Sequence, residues 1–367
     1  MEFGLNESQE FLKESARKFF AGECSMAEVR RLLETDTSFD RDLWAKLVEQ
    51  GYTGIIFPEE FGGVGLGTLE LIVLMEEAGR ALLPGPLFST VALAGSVLLD
   101  VASTEQKKKY LTPICRGEAR ATVAIPEAAG SWDPTDIQMA AVNGKLNGEK
   151  LFVPDAVIAD WILVVARNGV FLVESRAPGV RVEPMLGMDQ TRKIYSVQFQ
   201  DAPGEKLSET SGLSRALDVA TAALAAEMVG GMQRTLDLTV EYAKTRKQFG
   251  KPIGMFQAVQ HQCADMYLET ESARSAAYYA AWALQENTPD AASAASIAKM
   301  YASDASRTVG NRGIQVHGGM GFTWENDIHL YYRRAKASET ALGDATFHRE
   351  RLARLVIDAP AVSAQRA

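Results

Sequence analysis

Cysteine is scarce in this chain of 367 residues: Cys24, Cys115 and Cys263 are an odd number at wide spacing, which excludes a disulfide framework and a cysteine zinc site. A reducing compartment, the cytoplasm, is the expectation. Histidine is almost as rare, with four residues, and the spacing of His317, His329 and His348 fits no metal-ligand motif. No run approaches the roughly 20 apolar residues that a membrane span needs. The N-terminus lacks the basic-then-apolar order of a signal peptide. Positive charge is in deficit, 38 Lys and Arg against 47 Asp and Glu, a net charge of -9 that disfavours generic binding to nucleic acid or anionic membrane. Any phosphate-bearing ligand must therefore be met by a few local basic groups.

What is present is an ordinary folded composition, 47% hydrophobic and 23% charged, in a chain too long for one growing core. Up to about residue 118, apolar residues recur three and four apart in ESQEFLKESARKFF, FDRDLWAKLVEQG, LGTLELIVLMEEAGRALL, SVLLDVAS and TEQKKKYLTPICRG, a succession of helices. From 119 to 206 the period shortens towards two. ARATVAIPE, DIQMAAV, GKLNGEKLFVP, DWILVVAR, GVFLVES and IYSVQFQD read as strands, with Asn143-Gly144 and Asn168-Gly169 suited to tight antiparallel hairpins. From 207 to 367 helices return. Leu213 to Lys244 is apolar nearly all round and belongs at the centre of a bundle; helices follow at Gln257 to Glu286 and Asp290 to Arg312, with a shorter pair beyond Asn326. The class is α+β: an N-terminal helical domain (1–118), a small antiparallel β-domain (119–206) and a C-terminal helical bundle (207–367).

Two junctions carry potential chemistry. TRKQFGKPIGMFQAVQHQ offers Arg246, Lys247 and Lys251 beside a glycine turn before a helix, which suits a phosphate but equally a solvated loop. GNRGIQVHGGMGFTWEN holds five glycines that allow close backbone approach to a ligand or simply a turn. Taken together, RKQFGKPIGMFQAVQH and IQVHGGMGFTWEN, with PEEFGGVGLG from Pro58 and PEAAGS from Pro126, resemble the acyl-CoA dehydrogenase family over essentially the whole chain.

The resemblance implies FAD as cofactor, an acyl-CoA substrate, an electron-transfer flavoprotein as electron acceptor, and a dimer-of-dimers in which each FAD lies in one subunit and reaches into its neighbour. By that resemblance Arg246, Gln248, Phe249, Gln257, Gln315, Gly318 and Gly319 hold the pyrophosphate and adenosine of a neighbour's FAD, beside His317. The set that would hold the chain's own flavin ring is depleted. Ile125 stands where the family has a hydroxyl, Phe152-Val153-Pro154 replaces Trp-Ile-Thr or Trp-Ile-Ser, Pro154 has no N–H to donate, and Ser131 alone matches.

Removal of the proton α to the thioester needs a base. In the alignment of RRAKASETALGDATFHRERLA the family's Glu falls on Leu342, and its minority position falls on Ala220, beside Thr221. Asp344 is the nearest carboxylate and the one candidate base. Asp218 points about 200 degrees away from position 220 on a helix and Glu227 lies about two turns further on, so both read as structural or CoA-facing. The tryptophans, Trp132, Trp161 and Trp324 among them, read as packing residues.

The leading expectation is the base-lacking subunit of a heterotetrameric acyl-CoA dehydrogenase of the kind found in bacterial steroid side-chain degradation. Its partner is a homologous subunit that brings the Glu. The alternatives are a homo-oligomer using Asp344 and a non-catalytic acyl-CoA-binding scaffold; acyl-CoA oxidases and flavin monooxygenases share the architecture.

Overall fold

A computed structural model describes residues 4–207 and 212–358. The first layer is helical: α1 (Glu7–Glu23), α2 (Met26–Leu33), α3 (Arg41–Glu49), α4 (Thr68–Arg80), α5 (Ser96–Val101) and α6 (Thr104–Cys115). Asn6 starts α1 through a reciprocal cap, accepting from the Gln9 amide at 2.9 Å while its own amide donates to the Gln9 side chain at 3.0 Å. The α2 segment was not among the expected helices. Before α5 the chain runs as a π-helix over Phe88–Gly95, a wide coil that favours functional sites.

The middle unit contains two small sheets. One has the order β1 (Ala121–Ala124), β3 (Trp161–Ala166), β4 (Gly169–Glu174) and β7 (Glu205–Lys206); in the other, β6 (Ile194–Pro203) is central, with β2 (Lys145–Pro154) on one side and β5 (Val180–Met185) on the other. Pairing is antiparallel except between β1 and β3, which run parallel.

Three strand-level expectations need correction. DIQMAAV forms no ladder apart from a bridge between Val142 and Lys145. Its alternating burial is real, but the amides of Gln138 and Met139 donate to Glu127 and that of Ala141 to Asn168, so side chains replace a neighbouring strand. The β3–β4 register pairs Ala166 with Gly169, which makes Arg167-Asn168 the loop instead of Asn168-Gly169. β5 was missed because it is a half-buried edge strand bearing Pro184.

The bundle consists of α7 (Leu213–Thr245), α8 (Gln257–Gln285) and α9 (Ala291–His317), followed by α10 (Ile328–Thr340) and α11 (Ala345–Val356); a two-residue pair, β8 (Lys247–Gln248) with β9 (Lys251–Pro252), makes the α7–α8 hairpin. As its all-round apolar character requires, α7 packs against α4, α8 and α9. Where α4 crosses α7 the backbones touch: a Cβ on Gly79 would lie 1.9 Å from the Glu227 carbonyl oxygen, and one on Gly230 1.8 Å from that of Glu76. No helix among the described residues is long and apolar enough to cross a membrane.

Candidate active-site cleft and exposed bundle end

An open cleft of about 920 Å³ lies between the middle unit and the bundle. Its walls are the loop after β1 (Ser131, Trp132), the end of β2 (Phe152, Pro154), the β5–β6 connection (Leu186 to Arg192), the π-helix (Phe88, Leu93) and the α10–α11 turn (Leu342 to Asp344). The volume suits a drug-sized or cofactor-sized ligand. A register shift in β2 between Lys150 and Val153 accompanies φ 55° at Phe152, which lines the cleft and is 40% exposed.

The polar groups expected on the flavin side are spent inside the chain. Ser131 Oγ donates to Asp136 at 2.6 Å and accepts from the Asp133 amide at 3.1 Å. Ile125 is fully buried, and its carbonyl accepts from the ammonium of Lys150, which also pairs with Glu127. Pro154 lines the cleft without an N–H, and its carbonyl accepts from Thr122 at 2.7 Å.

The α10–α11 turn displays Leu342, buried, at φ 57°. A bulky residue in the left-handed region is a strained arrangement, costing on the order of 1–3 kcal/mol, that surrounding structure must enforce. The enforcement comes from behind. The Lys299 ammonium, buried in α9, donates to the carbonyls of Gly343 at 2.8 Å and Glu339 at 3.0 Å and bonds Ser303 Oγ. His348 Nε2 meets the Leu342 carbonyl at 3.0 Å. Burial pushes Lys299 down to about 7 despite Asp344 and Glu339, and burial pushes His348 down to about 3 with Lys299 adding to the effect. Asp344 lines the cleft, but one of its oxygens caps α11 by accepting from the Phe347 amide at 2.8 Å.

Beneath the cleft lies a buried ionic network. Arg334 donates to Asp189 and Thr191 and, at 2.7 Å, to Glu227, and Arg192 donates to both oxygens of Glu227 at 2.6 Å. Burial penalises the charged form of Glu227, yet Arg192 and Arg334 hold it below its ordinary value. Asp155 is raised by burial, with Ser89 at 2.6 Å as its hydrogen-bond partner. Glu227 is thus structural.

A smaller pocket of about 140 Å³ adjoins the cleft through Trp132, Leu342 and Phe347. Ala220 is fully buried beside it, and Thr221 lines it. Asp218 also faces it, held by Arg351 at 2.6 and 3.0 Å.

The remaining expected residues lie elsewhere. Arg246, Gln248, Phe249, Gln257, Gln315, Gly318 and Gly319 are all exposed, at the end of the bundle formed by the α7–α8 hairpin and the C-terminus of α9. Tyr242 stacks on His317 with ring centroids 4.3 Å apart, joining the two helix ends. The side chains of Arg246, Gln248, Gln257 and Gln315 have no hydrogen bond or ion pair among the described residues. From Lys299, which backs the cleft turn, to Gln315 is about 24 Å along α9 at 1.5 Å per residue.

His329 and His348 are buried, whereas Trp132, expected as a packing residue, lines the cleft. Sequence reasoning missed Arg192, Asp189, Arg334 and Lys299. Lys299 left a signal: it sits in AASIAKMYAS with Ala295 and Ala302 on the same helix face, an interior position. Arg192 and Asp189 occur in a polar turn with no periodicity to mark them.

The acyl-CoA dehydrogenase N-terminal domain matches residues 6–118 and the C-terminal domain residues 212–357. Acyl-CoA dehydrogenase IpdE2 of Mycolicibacterium smegmatis is 36% identical over 96% of this chain and 98% of its own length. The fold is similar to a variant of the Tcur3481-Tcur3483 steroid acyl-CoA dehydrogenase, at TM-score 0.88 and 32% identity, covering 96% of this chain and 98% of that one. It is also similar to the ChsE4-ChsE5 complex of Mycobacterium tuberculosis, at TM-score 0.91 and 30% identity over 98% of this chain and 100% of that one. The chain belongs to the acyl-CoA dehydrogenase family. This is a family of oxidoreductases acting on CH–CH bonds with FAD as cofactor, and the fold is solved with FAD bound.

Proposed function

We propose that this chain is the base-lacking subunit of a heteromeric FAD-dependent acyl-CoA dehydrogenase. One observation carries the reading: at its own cleft Ser131 and Asp344 are each engaged within the chain, while the cofactor-type groups at the bundle end are exposed and unpaired among the described residues. Arg246 supplies a guanidinium fork suited to a pyrophosphate, and Gln248, Gln315 and the glycines Gly318 and Gly319 offer amide donors and open backbone. Phe249, 92% exposed, offers an apolar face beside them, and Gln257 lies at the start of α8. These residues fit the phosphate and adenosine portion of FAD in a neighbouring subunit. Around the cleft, Ser131 is the one flavin-side match and its hydroxyl is already engaged, so the chain's own half fits the ring poorly.

When bound, FAD supplies the acceptor for the hydride leaving the β-carbon. The α-proton must go to a carboxylate, and here Leu342 occupies the position that displays it, with Ala220 at the minority position. Asp189 and Glu339, which also line the cleft, are paired with Arg334 and with Lys336 and Arg307. The homologous partner chain supplies the base, and an electron-transfer flavoprotein takes the electrons. Heteromeric assembly is supported by the ChsE4-ChsE5 neighbour, and a steroid-type acyl group by the steroid acyl-CoA dehydrogenase neighbour.

The test is FAD stoichiometry after saturation and desalting, with substrate-dependent bleaching. The chain alone should retain little flavin, and co-expression with a base-bearing homologue should give one FAD per pair. Near one FAD per chain with bleaching would overturn the proposal. That result would favour the second reading, a homo-oligomer using Asp344, whose free carboxylate oxygen lies at the cleft wall; Asp344→Asn would then abolish bleaching.

A further inference from the structure

The cleft has lost its chemistry without being filled. Its walls are mainly apolar, with Phe88, Leu93, Phe152 and Ile194 around a space of about 920 Å³. At its rim Leu186 is fully exposed and Met188 is 55% exposed, so apolar surface is left uncovered.

Of the charged side chains on the cleft walls, Lys336 pairs with Glu339, Asp189 pairs with Arg334 and Asp344 caps α11, whereas Arg192 keeps donors in reserve. Arg192 lines the cleft with its side chain 13% exposed, and its guanidinium lies 4.9 Å over the Phe88 ring. Among the described residues only Nη2 is used, for both oxygens of Glu227 at 2.6 Å, which leaves the N–H groups of Nε and Nη1 without a protein acceptor. The charge beneath is balanced: Arg192 and Arg334 face Glu227 and Asp189. Nearby, Asp155 accepts from Ser89 Oγ at 2.6 Å, and any negative charge on its carboxyl only disfavours an anion further. A charge-balanced cluster that still presents N–H donors suits an uncharged oxygen acceptor better than an anion, because an anion would add an uncompensated charge to a poorly solvated wall.

We infer that this cleft is a non-catalytic binding site for a bulky apolar molecule bearing a ketone oxygen, which Arg192 recognises by hydrogen bonding. The inference rests on the proposed function in one respect, that the chain's own flavin does not fill the cleft. A site of this kind would give the assembled enzyme a second ligand position that turns nothing over.

Equilibrium dialysis of the full chain with radiolabelled progesterone, a neutral steroid ketone, tests this, with FAD content measured on the same sample. Saturable binding of one progesterone per chain is expected, with cholate, a steroid acid, at least tenfold weaker. Arg192→Met should weaken binding at least tenfold. Because that change also touches the ionic network, Leu186→Glu at the exposed rim provides a second variant with no buried partner to lose, and it should weaken binding several-fold. Absence of saturable binding, preference for cholate, or unchanged binding in both variants would overturn the inference. One FAD per chain displacing progesterone would overturn it together with the proposed function, and the flavin absorbance separates that case from simple lack of binding.

Discussion

The cleft and the exposed end of the bundle are built from similar residue types and use them in opposite ways. At the cleft, Ser131, Asp344, Asp189, Glu227 and the carbonyls of Leu342 and Gly343 all have partners within the chain. At the bundle end, Arg246, Gln248, Gln257 and Gln315 have none among the described residues and lie in solvent. A polar group satisfied internally holds structure, whereas a cluster of unsatisfied donors at a surface is available to something outside the chain. The same family framework therefore divides into a half bonded inward and a half that faces outward.

The largest expected effect lies in the inward half. Arg334→Met leaves Asp189 and Glu227 buried with a cation missing, and should destabilise the chain by about 3–5 kcal/mol, read as a lower urea midpoint. At the outward end, Arg246→Ala should leave that midpoint within about 0.5 kcal/mol of wild type. The same variant should reduce FAD retention by the co-expressed pair at least tenfold, in line with about 1.5–3 kcal/mol for a charge-assisted hydrogen bond. If it instead lowered stability without changing FAD retention, the contrast between the halves would collapse.

The turn behind the cleft gives a pH test of intermediate size. Lys299 has a folded value of about 7 against its ordinary 10.5, so between these values the unfolded chain binds more protons and stability rises with pH. The urea midpoint should increase from pH 7 to pH 9, and Lys299→Met should flatten the rise. His348, lowered from 6.5 to about 3, acts on the acid side: its contribution is full above 6.5 and is lost as pH falls towards 3. His348→Gln should reduce that acid-side slope.

The smallest expected effect separates a cap from a base. Asp344→Ala should cost about 1 kcal/mol of stability through loss of the α11 cap, measured by thermal unfolding. Turnover by the co-expressed pair should stay unchanged. A loss of several orders of magnitude in turnover would restore Asp344 as the base.

Much of the framework was legible because long periodic segments leave few alternatives. The central place of α7 followed from its apolar character on all sides. The end of α9 did not: the glycines suggested a stop near Arg312, yet the helix continues to His317. Gly313 is there for packing, since a Cβ would lie 2.8 Å from Thr235 Cγ2 and 3.0 Å from Ile328 Cδ1. DIQMAAV misled because alternating burial does not reveal whether a strand or side chains such as Glu127 and Asn168 will take the amides. At the site, positions set by motif spacing could be named in advance, whereas the network of Arg192, Arg334, Asp189 and Glu227 joins segments distant in sequence, and no local pattern reports such pairing.

The strained turn at Leu342 separates holder from tool. Lys299 and His348 grip the main chain through its carbonyls, and neither contact depends on which side chain position 342 carries. A loop fixed in this manner can exchange the group it presents while keeping its shape, so a lineage can retire a reactive residue, or regain one, without redesigning the scaffold. For engineering, this makes position 342 a socket: Leu342→Glu would present a carboxylate to the cleft from a backbone already bent to hold it.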